Sequence, residues 1–103
     1  MEDKKIITLD LTGCKYLGEI HERIRIAFDF PEWYGANWDA FWDLLQSECD
    51  ADEVIIRGIK TLPDEFESDI RMMEDTLEEK VKEREKYSSL YSHINPFSFS
   101  IID

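Results

Sequence analysis

A chain of 103 residues is long enough for one domain with a single modest core. Its 43% hydrophobic and 13% aromatic content excludes global disorder. The net charge of −12 argues against nucleic acid and anionic membrane as direct partners, and for a basic one.

Lys4 to Leu11 reads as a strand, with Ile7, Leu9 and Leu11 alternating against Thr8 and Asp10. Thr12 and Gly13 end it. Leu17, Ile20, Ile24, Ala27 and Phe28 recur at helical spacing, which predicts an amphipathic helix from Tyr16 to Phe28. Pro31 breaks it. A second helix is expected from Asn37 to about Ser47. Glu48 to Asp52 reads as a polar connection. Glu53 to Arg57 is a short strand with Val54, Ile55 and Ile56 at its centre, the pattern of a strand buried on both faces.

Pro63 stands where a helix accepts its first proline, and Asp64 and Glu65 suit a first turn. Phe66, Ile70, Met73, Leu77 and Val81 then mark one apolar face. A break near Glu74 or Asp75 is expected, because Thr76 with Glu79 has the form of a capping box. Asn95-Pro96 signals a turn, and Phe97, Phe99 and Ile101 alternate with serines as a last strand. The order is that of an α/β domain: a small three-stranded parallel sheet covered by three or four helices.

Charge is uneven along the chain. Residues 31–69 hold eleven acids and two bases, so nine of the twelve excess negative charges fall there. The bland reading is solubility. Cys14 and Cys49 form no metal motif, and two cysteines do not make a disulfide scaffold. With no apolar run of signal-peptide or membrane-span length, the expected setting is the cytoplasm, with both thiols reduced.

The acidic stretch opens on Pro31-Glu32-Trp33-Tyr34-Gly35-Ala36-Asn37-Trp38-Asp39-Ala40-Phe41-Trp42-Asp43, which contains all three tryptophans. Asn37 is a good N-cap. From that cap, Trp38, Phe41, Trp42 and Leu45 fall on or near one helical stripe, with Asp39, Asp43 and Gln46 beside it. Trp38, Phe41 and Leu45 are expected in the core, and Trp42 at the seam. Asp39 gains from the helix dipole. Asp43 lies a turn further in, and a like charge four residues back costs about 0.2–0.5 kcal/mol. An acid pair that weakens its own helix beside aromatics points to binding. Trp33 and Tyr34 precede the helix and either fold back on it or stay exposed as anchors. Gly35 is expected to supply a turn conformation.

Catalysis has little support. No nucleophile–base pair or phosphate loop accompanies the acids, and neither His21 nor His93 has a partner legible in the sequence. An acidic divalent-cation site is an alternative use of the Asp pair. No cofactor is expected.

The thirteen-residue segment closely resembles the signature of the barstar family, inhibitors of the ribonuclease barnase. The element order resembles that family too. The resemblance implies a binding protein, not an enzyme: an immunity or antitoxin partner of a basic ribonuclease or nuclease toxin domain. It implies that Trp33 packs near the nuclease active site, where the family carries Tyr. It implies that Asp43 enters the catalytic centre in place of substrate phosphate, and that Asp39 meets a basic loop residue. Tyr34, Gly35, Asn37 and Trp42 match positions at or beside the interface. The family also uses a Glu on its last helix, for which Glu79 and Glu83 are both candidates. Trp38 replaces an aliphatic residue, and the stretch from Thr61 to His93 is longer than the family's. The alternative function is an acidic interaction module with a basic partner that is not a nuclease.

Overall fold

The computed structural model describes residues 4–91 and 94–102. The order is β1 (Ile6–Asp10), α1 (Leu17–Phe28), α2 (Trp38–Ser47), β2 (Glu53–Arg57), α3 (Glu67–Leu90) and β3 (Ser98–Ile101). Two short 3₁₀ turns, Ile59–Thr61 and Asp64–Phe66, lead into α3. His93 lies outside the described residues.

The sheet is parallel throughout, in the order β1-β2-β3. Its register sets Ile7 beside Val54 and Phe99, and Leu9 beside Ile56 and Ile101. That row meets the helices: Leu9, Val54 and Ile56 are fully buried. The opposite row, Thr8, Ile55 and Ser100, is at most half-buried. So the helices cover one face only, a correction to the expectation for β2. Crossovers between parallel strands are almost always right-handed. Two of them stepping the same way across a sheet place every helix on the same side.

The apolar spacings of α1 are realised, with Ile20, Ile24 and Phe28 buried. Tyr16 is its N-cap, and Glu19 Oε1 accepts from the backbone N–H groups of Lys15 and Tyr16 at 2.8 and 3.2 Å. Asp29 closes it in the left-handed region, φ 56°.

α3 is a single unbroken helix, so the expected break at Glu74 or Asp75 is absent. The Thr76 hydroxyl donates to Met72 O at 2.8 Å, bonding back within the helix in place of capping a new one. Phe66, Ile70, Met73 and Leu77 are all buried, so the apolar face runs through the expected break, and tertiary burial decides helical continuity over local capping. One turn on, Lys80 is only 5% exposed; its Nζ donates to Leu45 O at 2.9 Å and lies 5.9 Å from the Phe97 ring centroid. The ammonium thus satisfies a carbonyl in the last turn of α2, where a cation also suits the helix dipole.

The polar connection expected at residues 48–52 is partly buried, with Glu48 and Asp50 exposed. Cys49, Ala51 and Asp52 are buried. Asp52 accepts from the Lys5 backbone N–H, from Asn95 Nδ2 and from Arg84 Nη1 at 3.2, 3.3 and 3.4 Å. One carboxylate thereby ties the entrances of all three strands to α3.

At the other end of the sheet, Gly58 sits at φ +85°, and a Cβ there would overlap Thr12 backbone N and Oγ1. Left-handed backbone and a steric clash act together. Gly58→Ala is expected to destabilise the fold by on the order of 3 kcal/mol in urea denaturation. A loss below about 0.5 kcal/mol, the ordinary range of a neutral surface change, would contradict the close approach.

Candidate functional site

The acidic–aromatic segment folds as a turn followed by a capped helix. The Tyr34 N–H donates to Pro31 O at 3.0 Å. Asn37 Oδ1 accepts from the Ala40 N–H at 2.8 Å, and its Nδ2 donates to Gly35 O at 3.2 Å, so one side chain serves helix and loop. The left-handed position is Ala36, φ 52°, and not Gly35. Such a conformation costs a non-glycine residue about 1–2 kcal/mol. Gly35 fits tightly for a different reason: a Cβ there would stand 3.3 Å from both Ala40 Cβ and Asn37 Nδ2.

The loop sends its two aromatics opposite ways. Trp33 is 71% exposed, whereas Tyr34 is 8% exposed and packs in the core. The Tyr34 hydroxyl lies 2.7 Å from His21 Nδ1. Burial raises the Tyr34 pKa, so the phenol stays protonated.

On α2, Phe41, Leu44 and Leu45 are buried, Trp38 and Trp42 are half-buried, and Asp39 and Asp43 are exposed. Trp38 is a wall as well as core: its Nε1 donates to Asp69 Oδ1 on α3 at 3.1 Å. Its ring centroid lies 4.3 Å from that of His21 and 5.8 Å from that of Phe41.

An open cleft of about 600 Å³ separates α2 from α3. Asn37, Trp38, Asp39 and Trp42 line it from one side, and Met72, Asp75, Thr76 and Glu79 from the other. The two Glu candidates part here. Glu79 lines the cleft, while Glu83 Oε2 accepts from Gln46 Nε2 at 3.0 Å, further along the helix pair. Among the described residues, no ion pair engages Asp39, Asp43, Asp75 or Glu79. Apolar indole and thioether surface bordered by unneutralised carboxylates is suited to long basic side chains, whose methylenes pack while their charge meets the rim.

Trp33 and Asp43 are exposed but do not line the cleft. Met72, Asp75 and Asp69 escaped the sequence reading. Their spacing on α3 was visible, but which side of α3 faces α2 was not. No group of three or more His, Cys, Asp or Glu among the described residues is placed to hold a metal ion. Nor is any helix among them long and apolar enough to cross a membrane.

No curated protein matches this chain. Residues 4–92, most of its length, match the family described as Barstar (barnase inhibitor). With the parallel three-stranded sheet, the one-sided helices and the capped acidic segment in place, the chain belongs to the barstar family.

Proposed function

We propose that this protein inhibits a basic ribonuclease by covering its active site with the Trp33–Asn37 loop, the exposed stripe of α2 and the facing turn of α3. Family membership supports a role of the barnase-inhibitor kind. The observation that carries the finer reading is the cleft, where Asn37, Asp39 and Trp42 from one helix meet Glu79 from another. Residues far apart in the chain share one surface with uncompensated negative charge, as a partner with clustered Arg and Lys requires.

In this reading Trp33 is an apolar anchor beyond the cleft, since a rigid aromatic presents large area at small entropic cost. Asp43 enters the nuclease's phosphate-binding centre. Asp39, Glu79 and the additional Asp75 receive a basic side chain between α2 and α3, against the face of Trp42. The surplus of acid in residues 31–69 accelerates encounter and makes it salt-dependent.

Capture from the native cell tests the partner: a basic ribonuclease as principal prey supports inhibition, and a basic protein of another kind supports the interaction-module alternative. Against the captured ribonuclease, Asp43→Ala is expected to weaken affinity by about 2 kcal/mol or more by titration calorimetry. The same change relieves repulsion with Asp39, so stability should hold or rise by about 0.2–0.5 kcal/mol. Affinity unchanged by the substitution would sink the phosphate-mimic role. Glu79→Gln should slow association and weaken binding, whereas Glu83→Gln should leave both nearly unchanged. The reverse ranking in stopped-flow measurements would move the docking surface along α3.

A further inference from the structure

The sheet has two edges, and they differ in charge. β1 follows Lys4 and Lys5 and ends on Asp10, so its edge is charged at both ends. Such charges keep edge strands from pairing with other strands. β3 lacks them: the stretch 94–102 contains no charged residue. Its register against β2 runs without a bulge. Pro96 lies before the strand and removes no donor from it.

Backbone groups alternate sides along a strand. The N–H groups of Ser98 and Ile102 donate to Asp52 O and Ile56 O, both at 3.0 Å. Ser98, Ser100 and Ile102 therefore face β2. Phe99 and Ile101 direct their N–H and C=O groups to the open side, where the sheet ends. Apolar side chains accompany them: Ile101 is 40% exposed, Ile102 is 55% exposed, and Phe99 is half-buried.

We propose that a second copy of this chain adds its β3 antiparallel to this edge across a two-fold axis, joining two three-stranded sheets into one of six strands. A copy fits because the edge is complementary to itself. Only one register uses both outward residues within the bounds of β3: Phe99 opposite Ile101 of the second copy, and Ile101 opposite its Phe99. That register makes four backbone hydrogen bonds and pairs Phe with Ile twice on the helix side. It also sets Ser100 against Ser100 at the centre, in the close position of an antiparallel pair. Cβ atoms there stand about 4.5–5.5 Å apart, which suits two small side chains.

Charge favours this edge over the rest of the surface. Chains of net charge −12 repel one another, and most of the excess acid lies in residues 31–69, outside β3. The uncharged strand is where two copies can approach. A contact of this symmetry uses up the edge it is made from, so assembly stops at two. It involves no residue that lines the cleft, so the inference stands apart from the partner reading.

Sedimentation of the isolated protein tests this from about 10 μM to about 1 mM, because one strand pair is a small seam and mass action shows a weak dimer only at the upper end. The mass should rise from 12.2 kDa towards twice that value. A mass that stays at the monomer value, or climbs past the dimer, overturns the proposal. Ser100 tests the register. It is exposed on the uncovered face of the sheet, so a longer side chain there leaves the core untouched. Ser100→Lys and Ser100→Glu should each stay monomeric, because each sets like charges opposite one another across the axis. An equimolar mixture of the two should recover the dimer, since Lys then faces Glu. Variants that dimerise as the parent does, or a mixture that stays monomeric, overturn the proposal. Amide exchange at Phe99 and Ile101 should slow as the dimer forms, while Ser100, bonded within the sheet, should not change. A sample that dimerises with exchange at Phe99 and Ile101 unaltered has its contact elsewhere and overturns it.

Discussion

Everything on this surface depends on the two crossovers of a parallel sheet stepping in the same direction. Crossovers between parallel strands are almost always right-handed, and two of that hand stepping the same way bring their helices to one face. α2 and α3 then lie side by side on that face, although β2 and its flanking turns separate them in sequence. Their shared groove is a consequence of that packing, and the candidate site is the groove's open end. The other face of the sheet is left uncovered: Thr8, Ser98 and Ser100 stand exposed there beside Ile6 and the half-buried Ile55.

Two cations, the buried Lys80 and the half-buried Arg84, hold this arrangement. Lys80 satisfies the end of α2 from α3, and Arg84 joins Asp52 to Asn95 O at the strand entrances. Both lie near the Phe97 ring, 5.9 and 6.0 Å from its centroid. Charged groups are costly to bury unless fully partnered, so their value is directional. They specify how α3 sits on the sheet more sharply than apolar contact alone. The cleft is formed by the same helix pair on the N-terminal side of Lys80, where Asp39, Asp75 and Glu79 border it. Structural cations at one end and uncompensated anions at the other divide the α2–α3 interface into a part that is satisfied and a part that is not.

Much of the architecture was legible. Period-two spacing placed β1 and β3, and helical spacing α1 and α2, within a residue or two, because those signals report local backbone geometry and a single buried face; β2 was placed by its run of three apolar residues, though only one of its faces is covered. The segment from Pro31 to Asp43 was legible as well, since capping by Asn37 and the juxtaposition of Trp42 with two acids follow from helical spacing alone. Local rules failed where burial overrode them. Thr76 with Glu79 has the form of a helix start, yet the helix runs through it. Gly35 has the form of a left-handed turn, yet the left-handed residue is Ala36. Residues 48–52 read as a polar connection, yet Asp52 within it is a buried hub.

The amino-acid sequence by itself determined the α/β order, the acidic–aromatic motif and the family resemblance, because these depend on residues close together in the chain. The tertiary structure alone decided which of Glu79 and Glu83 borders the cleft, that Tyr34 turns inward while Trp33 turns out, and that His21 links α1 to the loop and α2. Those facts depend on how α3 is rotated against α2 and on what lies beneath the loop. Helical periodicity assigns residues to faces, but which neighbour a face meets is settled only when the helices dock on the sheet.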